Sequence, residues 1–231
     1  TKLQDLYDLL DDQLTYFERQ YDSVATDKSP EGRFRQLIRS AKQKTGRGVV
    51  VLVDEYDKPI LQAIGNEALQ DEFRNALKAF YGVLKSADAD LRFTLLTGVT
   101  KFGKVSVFSD LNNLEDISMN HFYTNICGIS DDELHKYFDV EIGELANCNK
   151  QTKDEAYKEL ECRYDGYHFC ENSQGMYNPF SVLLTLKNCN YGNYWFSTGT
   201  PTYLVELLKK SDFHLEEFSN LEVSQDELDS I

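Results

Sequence analysis

The sequence lacks long apolar runs, repeats and a leader-like start. Its 231 residues contain no stretch of about 18 consecutive apolar residues, so we predict no transmembrane helix. The opening segment, TKLQDLYDLLDD, is polar and amphipathic, which argues against a signal peptide. What is left, with 41% apolar and 27% charged residues, is typical of a globular chain that forms one large domain or one domain and an appendage.

Basic residues are scarce relative to acidic ones. The chain has 24 Lys and Arg against 39 Asp and Glu, which gives a formal net charge of −15. An electrostatic field of this sign repels a phosphate backbone. We therefore expect direct nucleic-acid binding by this segment to be unfavourable, and we expect no membrane partner.

Cysteine pairs with redox or zinc spacing are also missing. The five cysteines are odd in number and form no CxxC, which predicts reduced thiols and a cytoplasmic location. The segment from Cys162 to Cys170 includes His168, but its spacing matches no zinc-binding pattern. We interpret it as buried thiols with a structural histidine.

Hydrophobic periodicity predicts an α/β part over residues 1–125 and a mostly helical part over residues 126–231. The first part is expected to hold, in chain order, helices at 3–21 and 31–44, a strand at 49–53, a helix at 67–86, and strands at 91–97 and 105–108. In the second part, helices are expected to begin at Ser130, near residue 152, at Pro179 and at Pro201, before a fraying end or linker at 213–231.

The strongest chemical signal is the segment VVVLVDEYDKP at residues 49–59. Its five apolar residues, four of them β-branched, predict a strand buried on both faces in the middle of a parallel sheet covered by helices. Asp54 and Glu55 follow at the carboxyl end of this strand, where open α/β sheets bind their ligands.

Two adjacent acids at this place suit phosphoryl transfer. Mg²⁺ takes few carboxylates together with waters and phosphate oxygens, so we assign Asp54 as the magnesium ligand. Glu55 would take a proton from water that attacks a phosphate. An apolar strand that ends in Asp-Glu is the Walker B pattern of P-loop ATPases. Asp57 would assist at the nucleotide or cap the turn before Pro59. The alternative interpretation of the whole segment is a surface turn after a core strand, without a catalytic role.

The strand at 91–97 also ends in polar residues. ATPases of this kind place a polar sensor side chain at the tip of the strand beside the Walker B acids. Thr97 or Thr100 fits that catalytic role, and the alternative is that both cap backbone groups in a glycine turn. Lys101 is a candidate phosphate contact, with a solvated loop charge as the alternative.

A phosphate-binding loop is lacking. Residues 98–105 nearly match G-x-x-x-x-G-K-[ST], but Val105 replaces the hydroxyl residue, and the following residues lack helical periodicity. This segment also follows the Asp-Glu strand, whereas a phosphate-binding loop normally precedes it. We expect the loop to lie upstream in a longer parent protein or to have been lost.

Several long segments together resemble a known family. They are VVVLVDEYDKPIL, LLTGVTKFGKVSVFSDLNNLEDIS, YDGYHF, MYNPFSVL and YWFSTGTPTYLVELL. These are similar to the predicted AAA-ATPase-like family of Bacteroidetes and other anaerobes, over about residues 30–210. The resemblance implies a P-loop NTPase-like parallel sheet flanked by helices, here without its N-terminal strands, followed by a mostly helical lid-like part.

The resemblance also implies a function. In the family pattern, Asp54 and Glu55 match the Walker B acids, and the turn from Thr97 to Lys101 matches the sensor position. The full-length parent would bind ATP and magnesium and hydrolyse ATP to drive an unknown process. This chain alone is expected to be inactive because the Walker A lysine and serine lie upstream in the family. Family members are commonly followed by a nuclease-like domain, which makes such a domain an expected partner.

Two alternatives stay open at this point. The chain could be a catalytically inert regulatory or partner-binding module with a vestigial nucleotide site. A restriction-type nuclease is disfavoured, since Asp54, Glu55 and Lys58 lack the separated acids of such a core. The aromatic residues of the second part would build the core of a helical lid or form a docking surface; they are Tyr164, Tyr167, Phe169, Trp195 and Phe196.

Overall fold

The chain folds into helices around a small parallel sheet. The computed structural model describes residues 2–99, 113–170 and 173–194. The chain divides into two compact units, Thr1–Glu115 and Asp116–Ile231. The first unit holds the sheet, and the described part of the second unit is helical. The architecture is therefore mixed and helix-rich, in agreement with the α/β class that the sequence predicts.

The first unit contains four helices and two strands among its described residues. In chain order these are α1 (Leu3–Tyr21), α2 (Pro30–Thr45), β1 (Val49–Val53), α3 (Lys58–Gln62), α4 (Glu67–Ser86) and β2 (Leu91–Leu96), with a 3-10 turn at Asp88–Asp90 before β2. The second unit contains a 3-10 turn at His121–Tyr123 and then α5 (Asp131–Tyr137), α6 (Asp139–Asn149), α7 (Lys153–Tyr164) and α8 (Pro179–Asn188).

Helix ends follow the capping chemistry of the sequence. In α2, the Ser29 hydroxyl accepts the Gly32 N–H at 3.1 Å, and Pro30 occupies the first helical position. Gly46 ends α2 in the left-handed conformation, with φ at +68°. Asn66 accepts the Leu69 N–H at 3.1 Å and starts α4 in the same way.

The two strands pair in parallel, as the strand–helix–strand order predicts. Val51 lies opposite Thr94, and Val53 lies opposite Leu96, with a register shift between Val49 and Val50. Val51, Val53 and Leu96 face the helical core of the first unit. The sheet is therefore covered by helices on one side, which we call the inner sheet face.

The other side of the sheet corrects one prediction. We expected residues 49–53 to be buried on both faces, but the burial of β1 alternates along the strand. Val50 is 52% exposed, Leu52 is 68% exposed, and Phe93, which lies opposite Val50, is 53% exposed. We call the surface formed by Val50, Leu52, Phe93 and the half-buried Leu95 the outer sheet face. Within the described residues, no helix of the first unit covers it.

The core of the first unit forms between α1, α2, α4 and the inner sheet face. Phe73 and Leu84 of α4 are completely buried. Phe34 of α2 stacks on Phe80 of α4 with a ring-centroid distance of 4.6 Å. The predicted amphipathic helix at 67–86 thus supplies the main apolar face on which the strands rest.

The second unit has its own core, built from α5 to α8. Leu134, Ile142, Leu145, Leu160 and Val182 are completely buried. Capping boxes start two of these helices: Ser130 with Glu133 in α5, and Thr152 with Glu155 in α7.

Tyr164 is the buried polar centre of the second unit. Its hydroxyl accepts the Gly192 N–H at 2.9 Å and the Thr185 hydroxyl at 2.8 Å, and it donates to the Gly192 carbonyl at 2.9 Å. One donor and two acceptors are the full capacity of a tyrosine hydroxyl. Tyr164 is therefore a core residue, as the lid interpretation expects.

Other side chains in the same segment differ from that interpretation. Tyr167 is 51% exposed, so it is not part of the core. The expected buried thiols are also wrong, because Cys162 is exposed and Cys170 is only half-buried. His168 is exposed too, but its Nδ1 lies 2.9 Å from the Ser173 carbonyl, a contact within the segment that agrees with a structural histidine. The segment turns back at Gly166, where φ is +118°, and short antiparallel bridges leave its outer side chains in solvent.

The helix predicted to begin at Ser130 is α5, with Ser130 as its N-cap. Helix α6, which the sequence did not predict, follows α5 after a single residue. Several predictions lie outside the described residues. These are the strand at 105–108, the helix from Pro201, the C-terminal stretch at 213–231, Trp195 and Phe196. Within residues 2–99, 113–170 and 173–194, no helix is both long and apolar enough to cross a bilayer.

Candidate functional site

The carboxyl ends of β1 and β2 meet at one edge of the sheet. The Thr97 N–H donates to the Val53 carbonyl at 2.8 Å, and the Tyr56 N–H donates to the Thr97 carbonyl at 2.9 Å. These backbone bonds continue the parallel ladder beyond the two strands. They bring the residues after β1 beside the residues after β2, as the sequence predicts for neighbouring parallel strands.

Asp54 and Thr97 contact each other at this edge. The Thr97 hydroxyl donates to Asp54 Oδ1 at 2.5 Å, although the two residues are 43 positions apart in sequence. Both residues are exposed to solvent. The structure thus joins the residue assigned to magnesium with one of the two residues assigned to the sensor.

Glu55 lies next to this pair but takes an unusual backbone conformation. Its φ is +54°, in the left-handed region that residues with a Cβ seldom occupy. Its side chain is 52% exposed and forms an ion pair with the ammonium group of Lys58. The hydrogen bond from Lys58 to Glu55 raises the pKa of the lysine, and the charges of Glu55 and Asp54 act in the same direction.

Lys58 was not among the predicted site residues. The spacing of three positions from Glu55 did not indicate it, because such a spacing brings side chains together within a helix and Glu55 lies before α3. Here α3 begins at Lys58, immediately after Asp57. The lysine therefore places a positive charge beside the Glu55 carboxylate.

Asp57 differs from the other acids because it is only 1% exposed. Its Oδ2 accepts the Val99 N–H at 2.9 Å, and its backbone carbonyl accepts the Ile60 and Leu61 N–H groups, both at 3.0 Å. Its side chain does not cap α3. Burial, followed by the charges of Asp57 and Tyr56, raises the pKa of Tyr81 to about 12.

Gly98 allows this close approach of the two strand ends. A Cβ at Gly98 would lie 2.5 Å from Cε1 of Tyr56 and 2.8 Å from Oδ1 of Asp57. Only a residue without a side chain fits between them. Sequence reasoning placed Gly98 in a glycine turn but could not show this requirement, because the requirement comes from residues about 40 positions away.

Two predicted site residues, Thr100 and Lys101, lie outside the described residues. The four that are described fall into two groups. Asp54, Glu55 and Thr97 are exposed at the sheet edge, whereas Asp57 is buried beneath it. A surface cavity of about 500 Å³ lies elsewhere and is lined by Arg39, Lys42, Gln43, Gly46 and Asp90. The exposed sheet edge is thus not part of that cavity.

The oxygen donors at the sheet edge suit a hard cation that also binds phosphate. The Asp54 carboxylate and the Thr97 hydroxyl are oxygen donors, and Mg²⁺ is held in proteins by one or two carboxylates with waters and substrate phosphates. In the described part of the chain, no group of three or more His, Cys, Asp or Glu side chains is arranged to hold a metal. The residues present fit a magnesium ion that arrives with a nucleotide better than one held by protein ligands alone.

Comparisons with known proteins bear on the same segment. Residues 1–108 match the model of a family described as predicted AAA-ATPase. The chain is also similar to an uncharacterized protein in the vnfD 5′ region of Azotobacter chroococcum mcd 1, with 40% identity over 205 residues. That alignment covers 89% of this chain and 37% of the relative, so this chain spans little more than a third of the relative's length. No solved structure matches the chain significantly.

Proposed function

We propose that this chain is the Walker B and sensor part of a P-loop ATPase, starting from the fact that residues 1–108 belong to the predicted AAA-ATPase-like family. In the full-length parent, it would bind and hydrolyse ATP with magnesium. The observation that carries this proposal is the contact between Asp54 and Thr97 at the shared carboxyl edge of two parallel strands, with Glu55 beside them.

Asp54 is the residue proposed to hold the magnesium ion. Its carboxylate is exposed at the strand end, and the Thr97 hydroxyl fixes its orientation through Oδ1. A bound magnesium ion would supply neutralisation of the charge that develops on the phosphate oxygens. Thr97 acts as a positioning residue for Asp54 in this arrangement, and Thr100 is proposed to share the sensor role.

Glu55 is the residue proposed to accept the proton of the attacking water. Its carboxylate is exposed, so water can reach it. Glu55 and Asp54 have different side-chain partners, since Glu55 pairs with Lys58 and Asp54 accepts a hydrogen bond from Thr97. This difference supports separate roles for the acid that would bind the metal and the acid that would take the proton. The ion pair with Lys58 is exposed on both sides and therefore weak, so water can replace it at little cost.

The remaining parts of the machinery are proposed to come from the parent protein. A phosphate-binding loop would supply the backbone N–H groups and the lysine that cradle the phosphates. Lys101 would add a phosphate contact from this chain. We propose that ATP hydrolysis is coupled to a nuclease-like domain that follows this chain in the parent.

Replacement of Glu55 by glutamine in the full-length parent tests the proposal. Glu55→Gln keeps the size of the side chain but removes its basicity, so we expect phosphate release to fall at least about 100-fold while ATP still binds. Glu72→Gln, at an exposed position of α4, is the matched control and should hydrolyse ATP like the unaltered parent. Calorimetry measures binding and phosphate release measures turnover; undiminished turnover in Glu55→Gln would rule the assignment out.

A catalytically inert regulatory module is the second candidate. The observation in its favour is the position of the described cavity, which does not include the carboxylates. This alternative expects no ATP affinity in the parent even with magnesium present. Micromolar binding measured by calorimetry would reject it, and absence of binding would reject the ATPase instead.

A further inference from the structure

Two cysteines of the second unit lie side by side at the ends of two packed helices. Cys148 is the last residue but one of α6, and Cys189 directly follows α8. The Asn149 side chain joins the two helix ends, because its Nδ2 donates to the Leu145 carbonyl at 2.8 Å and to the Cys189 carbonyl at 3.1 Å. A hydrogen bond between the Cys148 and Cys189 thiols, followed by burial, raises the pKa of Cys189. The two sulfur atoms are therefore neighbours, although α7 and α8 lie between them in the sequence.

Cys189 occupies a backbone position that does not favour cysteine. Its φ is +48°, in the left-handed region, where the ends of helices usually carry glycine or asparagine. Its N–H donates to the Leu186 and Thr185 carbonyls and closes α8. A side chain that is kept in a costly backbone conformation indicates a use for that side chain.

The two thiols differ in their access to solvent. Cys148 is exposed, whereas Cys189 is half-buried, and both are free thiols. A small reagent can therefore reach Cys148 directly, and the second thiol lies within contact of the first. An accessible thiol with a second thiol beside it is the arrangement in which thiol exchange ends in an intramolecular disulfide.

We propose that Cys148 and Cys189 form a reversible disulfide by exchange with a low-molecular-weight disulfide such as glutathione disulfide. The Cys148 thiolate attacks one sulfur of glutathione disulfide, whose S–S bond breaks, and the departing glutathione takes up the proton that Cys148 has lost. The Cys189 sulfur then attacks the Cys148 sulfur of the mixed disulfide. The second glutathione leaves with the proton of Cys189. Two protein thiols are thereby oxidised by two electrons, and one glutathione disulfide is reduced to two glutathione molecules.

The disulfide would tie the end of α6 to the end of α8. Because α7 and α8 both lie in the chain between the two cysteines, the bond closes a loop that contains them and restricts the unfolded chain. Oxidation therefore stabilises the second unit, and reduction releases it. Neither cysteine belongs to the sheet edge of the first unit, so the proposal does not depend on nucleotide binding.

Incubation of the 231-residue chain in glutathione buffers tests the proposal. The proportion of glutathione disulfide is raised in steps, exchange is stopped with acid, free thiols are alkylated, and disulfides are located by peptide mass spectrometry. We expect the peptide pair that joins Cys148 to Cys189 to be at least about tenfold more abundant than any other cysteine pair. The exposed thiols of Cys127 and Cys162 should carry glutathione adducts or stay reduced.

Two variants separate this pair from ordinary thiol reactivity. In Cys189→Ser, the mixed disulfide of Cys148 with glutathione should accumulate, because the second thiol is missing. Cys162→Ser is the matched control and should form the disulfide like the unaltered chain. Oxidation should raise the melting temperature of the unaltered chain, dithiothreitol should reverse that rise, and Cys189→Ser should show no rise.

Four results would overturn the proposal. Glutathione adducts at both cysteines without a bond between them would show that the thiols do not meet. The same distribution of cysteine pairs in urea as in buffer would show that the fold does not bring them together. A disulfide that joins two chains would contradict the intramolecular bond. A cross-linked chain with an unchanged melting temperature would contradict the proposed effect on the second unit.

Discussion

Asp57 links the two strand ends through a single buried carboxylate. It is 1% exposed, and it holds the Val99 N–H at 2.9 Å while its backbone carbonyl starts α3. A buried carboxylate with a backbone donor fixes the turn that follows β2 relative to β1. These contacts favour a structural part for Asp57, beneath the exposed residues that would meet a nucleotide.

Truncation of Asp57 should therefore destabilise the chain. Asp57→Ala leaves the Val99 N–H without its acceptor, and we expect a loss of about 1–3 kcal/mol in the free energy of unfolding. Urea unfolding measures it. Asp71→Ala, at a side chain that is 68% exposed, is the control and should cost much less. Equal stability of the two variants would show that the carboxylate does not hold the turn.

The residue-scale contacts were only partly predictable from the sequence. The neighbourhood of Asp54 and Thr97 could be predicted, because neighbouring parallel strands end at the same edge of a sheet. The bond from Val99 to Asp57 could not, since it depends on how far each chain runs beyond its strand. The ion pair of Glu55 with Lys58 depends on where α3 starts. Helix α3 has only five residues, which is too short for hydrophobic periodicity to predict it.

At the scale of elements, two capping boxes fix the starts of α5 and α7. In α5, Glu133 accepts the Ser130 N–H at 3.0 Å and the Ser130 hydroxyl at 3.1 Å. In α7, Glu155 accepts the Thr152 N–H at 2.8 Å and the Thr152 hydroxyl at 2.9 Å. These bonds, the backbone N–H first, lower the pKa of each glutamate below the ordinary value of 4.5.

The lowered pKa values predict a pH dependence of stability. A carboxylate whose pKa is lower in the folded state stabilises the fold above its ordinary pKa, and that contribution is lost as the pH falls through the folded value. The melting temperature of the unaltered chain should therefore fall between about pH 5 and pH 3. The melting temperature of the double variant Glu133→Gln, Glu155→Gln should fall less over the same range. Glu144→Gln, an exposed position outside both boxes, is the control. Parallel pH profiles for the double variant and the unaltered chain would contradict the prediction.

Element boundaries were predictable where periodicity and caps agree. The predicted strand at 49–53 and the predicted helix at 67–86 match β1 and α4, since an unbroken apolar run and a long apolar stripe with an Asn cap leave little choice. Helix α6 was missed because Gly143 and the asparagines near its end weaken the helical pattern. Tertiary packing on Ile142 and Leu145 overrides that weakness.

At the scale of the whole molecule, two separate sets of side chains form the cores of the two units. Leu84 belongs to the core of the first unit, and Leu145 belongs to the core of the second; both are completely buried. The exposure of β1 on one face belongs to this scale as well. Five consecutive apolar residues look the same whether a second layer is present or not, so the sequence could not reveal the outer sheet face.

Cavity-forming substitutions should separate the two cores. Leu84→Ala and Leu145→Ala should each cost about 2–5 kcal/mol, because each removes buried methyl groups from a packed site. Hydrogen exchange should show the larger loss of protection in α4 and β1 for Leu84→Ala, and in α6 and α7 for Leu145→Ala. The same pattern of loss in both variants would show a single cooperative core.

The left-handed backbone at Glu55 lowers the stability of the fold at the position where we propose that the proton acceptor lies. With φ at +54°, a glutamate there costs about 1 kcal/mol that glycine or asparagine would avoid. Directed evolution for heat resistance alone is therefore expected to replace Glu55 early. The more stable protein would then lack the proton acceptor that we propose.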